Sequence, residues 1–110
     1  MVSLNRKLVL ERPEKVPDNA GGFELTWVEI GTLWASIERR SARETATLDA
    51  PVAEVKYRIL VRGAPFGSSM RPKVDQRLRE GVRAFVIDAV SEAIPSASYL
   101  ECWAREEEVQ

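Results

Sequence analysis

The sequence lacks histidine and has a single cysteine, and these two scarcities remove several kinds of chemistry at once. Without an imidazole there is no histidine general base, no histidine-centred triad and no histidine metal ligand. One cysteine forms neither an internal disulfide nor a zinc cluster. The phosphate-binding patterns GxGxxG and GxxxxGK[ST] are also missing. We therefore expect a protein that is not an enzyme and that has no cofactor and no metal site.

Long apolar runs are equally scarce. No run approaches the ~20 residues of a membrane span, and no early segment joins a basic start to an apolar stretch. We expect an intracellularly made, soluble protein with no membrane partner. The length of 110 residues fits a single domain over residues 1–110.

The one cysteine lies in the segment LECWA, near the end of the chain. Cys102 alternates there with Leu100 and Ala104, as the inward residues of a strand do. The pattern predicts a buried, inert thiol rather than a nucleophile.

Charge is nearly balanced overall, at −1, but it is unevenly placed. Residues 56–83 carry eight basic and two acidic side chains, whereas residues 84–110 carry one basic and six acidic ones. One interpretation is ordinary solvated strand faces. The other is that basic and acidic patches of neighbouring copies meet head-to-tail, as in a ring. The acidic end argues against a simple nucleic-acid binder.

Two consecutive strands are predicted in Gly21–Arg40, the stretch around which the rest is organised. Phe23–Ile30 and Leu33–Arg39 are rich in β-formers and are joined by a short turn at Gly31. A preceding strand, Arg6–Arg12, is expected to end at the prolines that follow it, Pro13 and Pro17.

The apolar residues of this stretch suggest where it is covered. Phe23, Leu25 and Trp27 share one face, and Val28 and Ile30 share the other. Because both faces are apolar, the strand is expected to be covered on both sides. Trp34 alternates away from its apolar neighbours. It either packs at a core edge, which is the favoured interpretation, or contacts another subunit.

The next segment, Arg40–Pro51, has no period-two pattern and is polar. We predict a mobile loop of about a dozen residues, a length that in small domains is usually functional or disordered.

The second half reads as strands and turns. Alternation in Ala53–Arg62 predicts a half-buried strand with a largely basic outer face. Two prolines and two glycines mark Gly63–Pro72 as a loop. Lys73–Arg79 and Val82–Val90 then form a hairpin, and Tyr99–Glu106 is the last strand.

Six or seven short strands with turns between them predict an all-β fold, a small antiparallel β-barrel or sandwich with long extended loops. One alternative is an OB-like module that binds single-stranded nucleic acid, because basic residues accompany Tyr57, Phe66 and Phe85. Aromatic residues at strand periodicity are more often core than stacking platform.

Asp18–Gly22 is a predicted turn, since its glycines can take positive φ angles. From this turn onward, the sequence resembles the phage head–tail joining proteins, the stopper-type connectors of siphophages and gene transfer agents. The matching pieces keep their order over nearly the whole chain. They are Asp18 with Gly21-Gly22, Trp27, Trp34-Ala35-Ser36-Ile37, Tyr57-Arg58-Ile59, Val61-Arg62, Met70-Arg71, Gly81, Phe85-Val86-Ile87, and Tyr99-Leu100-Glu101-Cys102 with the acidic residues after it.

This resemblance implies a structural subunit of a homo-oligomeric ring of six or twelve copies at the head–tail junction of a virion or gene-transfer-agent particle, made in the host cytoplasm. The ring would lie between the adaptor or portal and the tail, close the channel on packaged double-stranded DNA, and dock the tail terminator or tail tube proteins. A related neck or tail-completion role, such as tail terminator, stays open.

The resemblance also implies which residues act. The residues of the channel loop would be Arg39, Arg40, Ser41, Arg43 and Glu44. The arginines of this loop would contact either DNA phosphates or carboxylates of ring neighbours. The residues that contact ring neighbours or partners would be Trp34, Arg62, Met70 and Arg71.

Overall fold

A computed structural model describes residues 3–46, 51–65, 67–93 and 98–108 of the chain, with side chains described over 3–40, 55–65, 67–93 and 98–107. Six strands account for most of these residues: β1 (Arg6–Pro17), β2 (Phe23–Ala46), β3 (Pro51–Arg62), β4 (Arg77–Glu80), β5 (Arg83–Glu92) and β6 (Tyr99–Glu108). The all-β prediction is confirmed. No helix of a length and apolarity suited to a membrane span occurs within the described residues.

The strands pair antiparallel in the order β1-β2-β3-β6-β5-β4, and β4 pairs back onto β1, so that the sheet closes into a barrel. Closure buries the inward residues of every strand. The core contains Leu8 and Leu10 of β1, Ile59 and Val61 of β3, and Phe85 of β5, all with no exposed surface. The predicted hairpin of the second half is confirmed as β4–β5, although its first strand begins at Arg77 rather than at Lys73.

The largest departure from the sequence prediction is β2, one strand of 24 residues where two strands and a loop were expected. The prediction of a turn at Gly31 is wrong, since Gly31 is paired with Leu10 in the middle of the strand. The mobile loop at Arg40–Pro51 is also wrong over most of its length, because β2 continues to Ala46 and β3 begins at Pro51. Residues 47–50 lie outside the described part.

Strand β1 is longer than predicted because Pro13 and Pro17 do not end it. The amide of Asp18 donates to the carbonyl of Gly22 at 3.1 Å. Because hydrogen-bonded and non-hydrogen-bonded pairs alternate along an antiparallel ladder, this bond shows which residues at the end of β1 direct their amides toward β2. Pro13 and Pro17 therefore fall at alternate positions that point their nitrogen atoms away from β2. The ladder loses no donor, and proline is tolerated.

Both ends of β2 extend beyond the barrel. Pairing of β1 with β4 stops at Glu11, so residues 12–17 of β1 and 23–28 of β2 form a two-stranded hairpin, here called the first ribbon. Pairing of β3 with β6 starts at Lys56, so residues 41–46 of β2 and 51–55 of β3 form the second ribbon. The radius of gyration of 15.4 Å exceeds the ~13 Å of a compact domain of this length, as projecting ribbons require.

A β-bulge at Ile30 decides which residues of β2 face outward. Leu10 pairs with Gly31 but Glu11 pairs with Glu29, which leaves Ile30 without a partner in the register. A single extra residue reverses the alternation of the strand. The odd-numbered residues of β2 thus face outward before the bulge and face the core after it, as Leu33, Ala35 and Ile37 do.

Candidate functional site

The described core contains one potential nucleophile, the thiol of Cys102. Cys102 is fully buried, as predicted, and desolvation raises the pKa of its thiol to about 12. A thiol with so high a pKa stays protonated and is a poor nucleophile. Among the described residues, no group of three or more Cys, Asp or Glu side chains is placed to hold a metal ion.

The first ribbon ends in a tight turn held by Asp18. Its Oδ1 atom accepts hydrogen bonds from the amides of Ala20, at 2.8 Å, and Gly22, at 3.0 Å. These two backbone bonds lower the pKa of the Asp18 carboxyl, so the side chain stays ionised. Asn19 and Gly21 take positive φ angles of 64° and 86°, which asparagine and glycine tolerate best. The sequence predicted this turn.

One face of the first ribbon is apolar and exposed. Register partners share a face, which places Pro17 with Phe23 and Pro13 with Trp27 on the outward side, while Lys15 pairs with Leu25 between them. The side chains of Phe23 and Leu25 are 68% and 58% exposed. The expectation that this strand is covered on both sides is wrong, because the bulge at Ile30 turns the face that carries Phe23 away from the core.

The ribbon is held at its root by a buried ion-pair cluster. Glu11, 6% exposed, accepts hydrogen bonds from Nε of Arg77 at 2.6 Å and from Nε of Arg79 at 3.1 Å. The guanidinium of Arg77 also stacks over the ring of Trp27, 4.2 Å from its centroid. β4 is thereby tied to both strands of the ribbon. Sequence reasoning missed this cluster, since its members are more than sixty residues apart.

A groove on the outer surface of the barrel brings together two of the predicted contact residues. It is lined by Leu4, Thr32, Leu33, Trp34 and Arg62. Trp34 is 56% exposed, so the core interpretation favoured from the sequence is wrong. Its neighbours Ala35 and Ile37 point inward as predicted, with Ala35 fully buried. Trp34 is thus an aromatic surface residue at the edge of an open groove.

The other two predicted contact residues lie elsewhere, in the loop between β3 and β4. The side chain of Met70 packs against Gly31, with its Sδ atom 2.7 Å from the position that a Cβ atom on Gly31 would take. Arg71 donates from Nη1 to the carbonyl of Ala64 at 2.7 Å, within the loop. Both side chains therefore contribute to packing inside the chain.

The residues predicted for a channel loop lie on β2 instead. Arg39 pairs with Tyr57, and Arg40 is a second bulge residue that donates to Glu38 at 2.7 Å. Ser41, Arg43 and Glu44 belong to the second ribbon, where Arg43 is the register partner of Glu54. In the described backbone, this segment is therefore part of β2, is paired with β3 and extends beyond the barrel.

Opposite charges of the two halves of the chain meet within one subunit. Arg58 of β3 donates to Glu101 of β6 at 2.5 Å, and Arg83 of β5 donates to Glu106 of β6 at 2.7 Å. Lys56 lies 3.3 Å from Asp88. Much of the charge asymmetry seen along the sequence is therefore neutralised by ion pairs between neighbouring strands of one subunit.

Two of the three aromatic residues considered for a stacking platform, Tyr57 and Phe85, pack together in the barrel instead. Phe85 is fully buried, and Tyr57 packs against it edge to face with ring centroids 5.1 Å apart. Phe66 lies outside the described residues. The arrangement is that of a core aromatic pair, and the exposed aromatics Phe23 and Trp34 sit on different surfaces.

Comparisons with known proteins give a consistent result. The family model described as phage head completion protein matches residues 1–107. Among solved structures, a chain from the structure titled "Virion of native gene transfer agent (GTA) particle" is 44% identical to this chain with a TM-score of 0.83, and the match covers 100% of both chains. The comparison with curated proteins found no match.

Proposed function

Because the chain belongs to the phage head completion protein family, we propose that it is a structural, non-catalytic subunit of the head–tail junction of a virion or gene-transfer-agent particle. The observation that carries this proposal is the match at 44% identity over the full length of a chain from a native gene transfer agent particle. At that identity and a TM-score of 0.83, the two chains share one fold over their full length.

In the finer form of the proposal, copies of the chain form a stopper ring between the portal or adaptor and the tail. The ring closes the DNA channel after packaging and gives the tail terminator or tail tube a surface to dock on. Two-stranded ribbons suit this task because they have little core of their own. Elements with few buried contacts change position at low cost, as a gate must.

The second ribbon is the proposed channel element. It extends from the barrel at Arg39 and Arg40 and carries Ser41, Arg43 and Glu44. A ring places the same element of every subunit at the same radius, so six or twelve ribbons together could narrow a channel. The arginines of this segment would contact DNA phosphates or carboxylates of neighbouring subunits.

Shortening the second ribbon tests this role. Since Arg43 and Glu54 are register partners, replacing residues 44–53 by Asn-Gly leaves a two-residue hairpin turn of the favoured type. We expect the variant to fold and to enter particles, and the particles to lose packaged DNA. A control variant of wild-type length replaces residues 47–50 by Gly-Ser-Gly-Ser and keeps the paired part of the ribbon. Particles that contain the shortened chain and retain DNA as wild type does would contradict the channel assignment.

Imaging of assembled particles distinguishes a stopper from a tail terminator, because it gives the position and copy number of the chain. A ring on the head side of the junction supports the stopper, whereas a ring at the end of the tail tube supports the terminator. An OB-like nucleic-acid module would instead show salt-dependent oligonucleotide binding by the purified monomer.

A further inference from the structure

The β2 edge of the first ribbon is an unpaired strand edge. Its residues 23–28 pair with β1 alone, because the pairing of β2 with β3 begins only at Ala35. Among the described residues outside the ribbon, no backbone group bonds to this edge. Hydrogen-bonded and non-hydrogen-bonded pairs alternate along the ribbon, and the bond from Asp18 to Gly22 shows which residues point their amides and carbonyls outward. They are Phe23, Leu25 and Trp27.

This edge lacks the devices that usually prevent the addition of a strand. Prolines and lysines protect the open edges of many natural sheets. The β1 edge of the same ribbon has both, since Pro13, Lys15 and Pro17 occupy its outward positions. Residues 23–28 contain no proline and no basic residue. The ribbon is therefore closed to an added strand on one side and open to it on the other.

The same edge of a second copy fits this edge in one antiparallel register. Strand addition requires that the outward residues of one copy lie opposite the outward residues of the other. When Leu25 lies opposite Leu25, Phe23 lies opposite Trp27, and about six hydrogen bonds satisfy every outward amide and carbonyl. The same residues belong to the apolar face of the ribbon, where Phe23 and Leu25 are 68% and 58% exposed. The pairing thus adds apolar cross-strand contacts to the backbone bonds.

Neighbouring registers are less favourable. A shift by one residue places the outward amides opposite residues whose amides already point to β1. A shift by two residues in one direction sets Glu24 against Glu24, and like charges directly opposite each other are destabilising. The same shift in the other direction sets the ring of Phe23 against the carboxylate of Glu29. In the register centred on Leu25, Glu24 lies opposite Thr26, and the apolar residues face only each other.

We propose that two copies of the chain pair antiparallel through the β2 edges of their first ribbons, with Leu25 on the two-fold axis. The contact is isologous, so it closes at two copies and does not itself generate a ring. It goes beyond the proposed function, because it describes the chain outside a particle. There the pairing covers a strand edge and an apolar face that otherwise promote aggregation.

Disulfide formation tests the register with single substitutions. In Leu25→Cys, the two cysteine Cα atoms lie about 5.5 Å apart across a hydrogen-bonded pair, which a disulfide spans. In the control Thr26→Cys, the two cysteines are diagonal neighbours about 7–8 Å apart, beyond that reach. The native Cys102 is buried and does not interfere. During mild oxidation of the dilute purified chain, we expect Leu25→Cys to form covalent dimers at least ten-fold faster than Thr26→Cys. Equal or faster bridging of Thr26→Cys would overturn the proposal.

Proline substitution tests the edge itself. Leu25→Pro removes an outward amide from the β2 edge, and Lys15→Pro removes one from the β1 edge of the same ribbon. Neither amide bonds to the other strand of the ribbon, so both variants should fold. In sedimentation experiments, we expect wild type and Lys15→Pro to form dimers as their concentration rises, and Leu25→Pro to associate at least ten-fold more weakly.

Two sedimentation results would overturn the proposal. One is a wild-type chain that stays monomeric up to its highest soluble concentration, and the other is equal association of the two proline variants. Both measurements use the purified chain, so their failure would leave the proposed function standing. Absence of the chain from the head–tail junction would overturn the proposed function and leave the ribbon pairing standing.

Discussion

Arg77 stacks its guanidinium over the indole ring of Trp27, 4.2 Å from the ring centroid, and so joins β4 to the root of the first ribbon. The same side chain donates from Nε to the nearly buried carboxylate of Glu11. We predict that Arg77→Met destabilises the fold by about 2 kcal/mol, because it removes a charged hydrogen bond and leaves Glu11 with Arg79 alone. Urea denaturation measures the change.

Arg79→Met is the matched control for that experiment. Arg79 is more exposed than Arg77 and its bond to Glu11 is longer, at 3.1 Å, so its loss should cost clearly less. Equal destabilisation by the two variants would contradict the role given to the stack on Trp27.

Acid is expected to weaken the barrel through two carboxylates. Hydrogen bonds from Arg6 and Arg83 lower the pKa of Glu80 and of Glu106 below the ordinary value of 4.5. A carboxylate with a depressed pKa in the folded state stabilises the fold above its unfolded pKa, and this contribution is lost as the pH falls through the folded value. The urea midpoint should therefore hold from pH 7 to pH 5 and decrease below about pH 4.5.

Glu106→Gln should remove part of this pH dependence while it lowers stability at pH 7. Glu92→Gln is the control, since Glu92 is exposed at the end of β5 and takes part in none of the ion pairs of the described residues. If the acid limb of the curve is the same in Glu106→Gln and wild type, the Arg83–Glu106 pair is not its source.

The thiol of Cys102 should be unreactive in the folded protein. Its side chain is fully buried and its pKa is about 12, so both access and thiolate are lacking. We expect no reaction with an aromatic disulfide reagent at pH 8 and one thiol per chain in denaturant. Fast labelling of the native chain would show that β6 opens locally.

Loss of the Asp18 side chain should loosen the turn of the first ribbon without unfolding the barrel. Asp18→Ala removes the acceptor of two backbone amides, those of Ala20 and Gly22. We expect several-fold faster hydrogen exchange at Gly22, while amides of the buried strand β6 keep their protection. Asp18→Asn retains an acceptor and should behave close to wild type. Global loss of protection in Asp18→Ala would mean that the ribbon and the barrel unfold together.

The strand content was predictable from sequence because alternation is local. Tyr57, Ile59 and Val61 face inward on β3 as expected, and Cys102 is buried. The bulge was not predictable in the same way. Phe23, Leu25 and Trp27 share the odd-numbered positions of Leu33, Ala35 and Ile37, and only the pairing with β1 shows that one extra residue at Ile30 separates them. Gly31 resembled a turn residue, but its missing side chain makes room for Met70.

The surfaces were less predictable than the core because they depend on contacts distant in sequence. Trp34 and Arg62 were singled out and do line one groove, but Met70 and Arg71 pack within their own loop. The cluster of Glu11 with Arg77 and Arg79 forms only when the barrel closes β4 onto β1. No local pattern encodes that closure.

The prolines of the first ribbon limit how it meets other molecules. Pro13 and Pro17 leave the β1 edge of the ribbon with few amide donors, so that edge is a poor template for an added strand. The β2 edge differs, because the described residues 23–28 pair with β1 alone and the amides of Phe23, Leu25 and Trp27 point away from it. A strand added by another molecule therefore finds a full set of donors at one edge of the ribbon and not at the other.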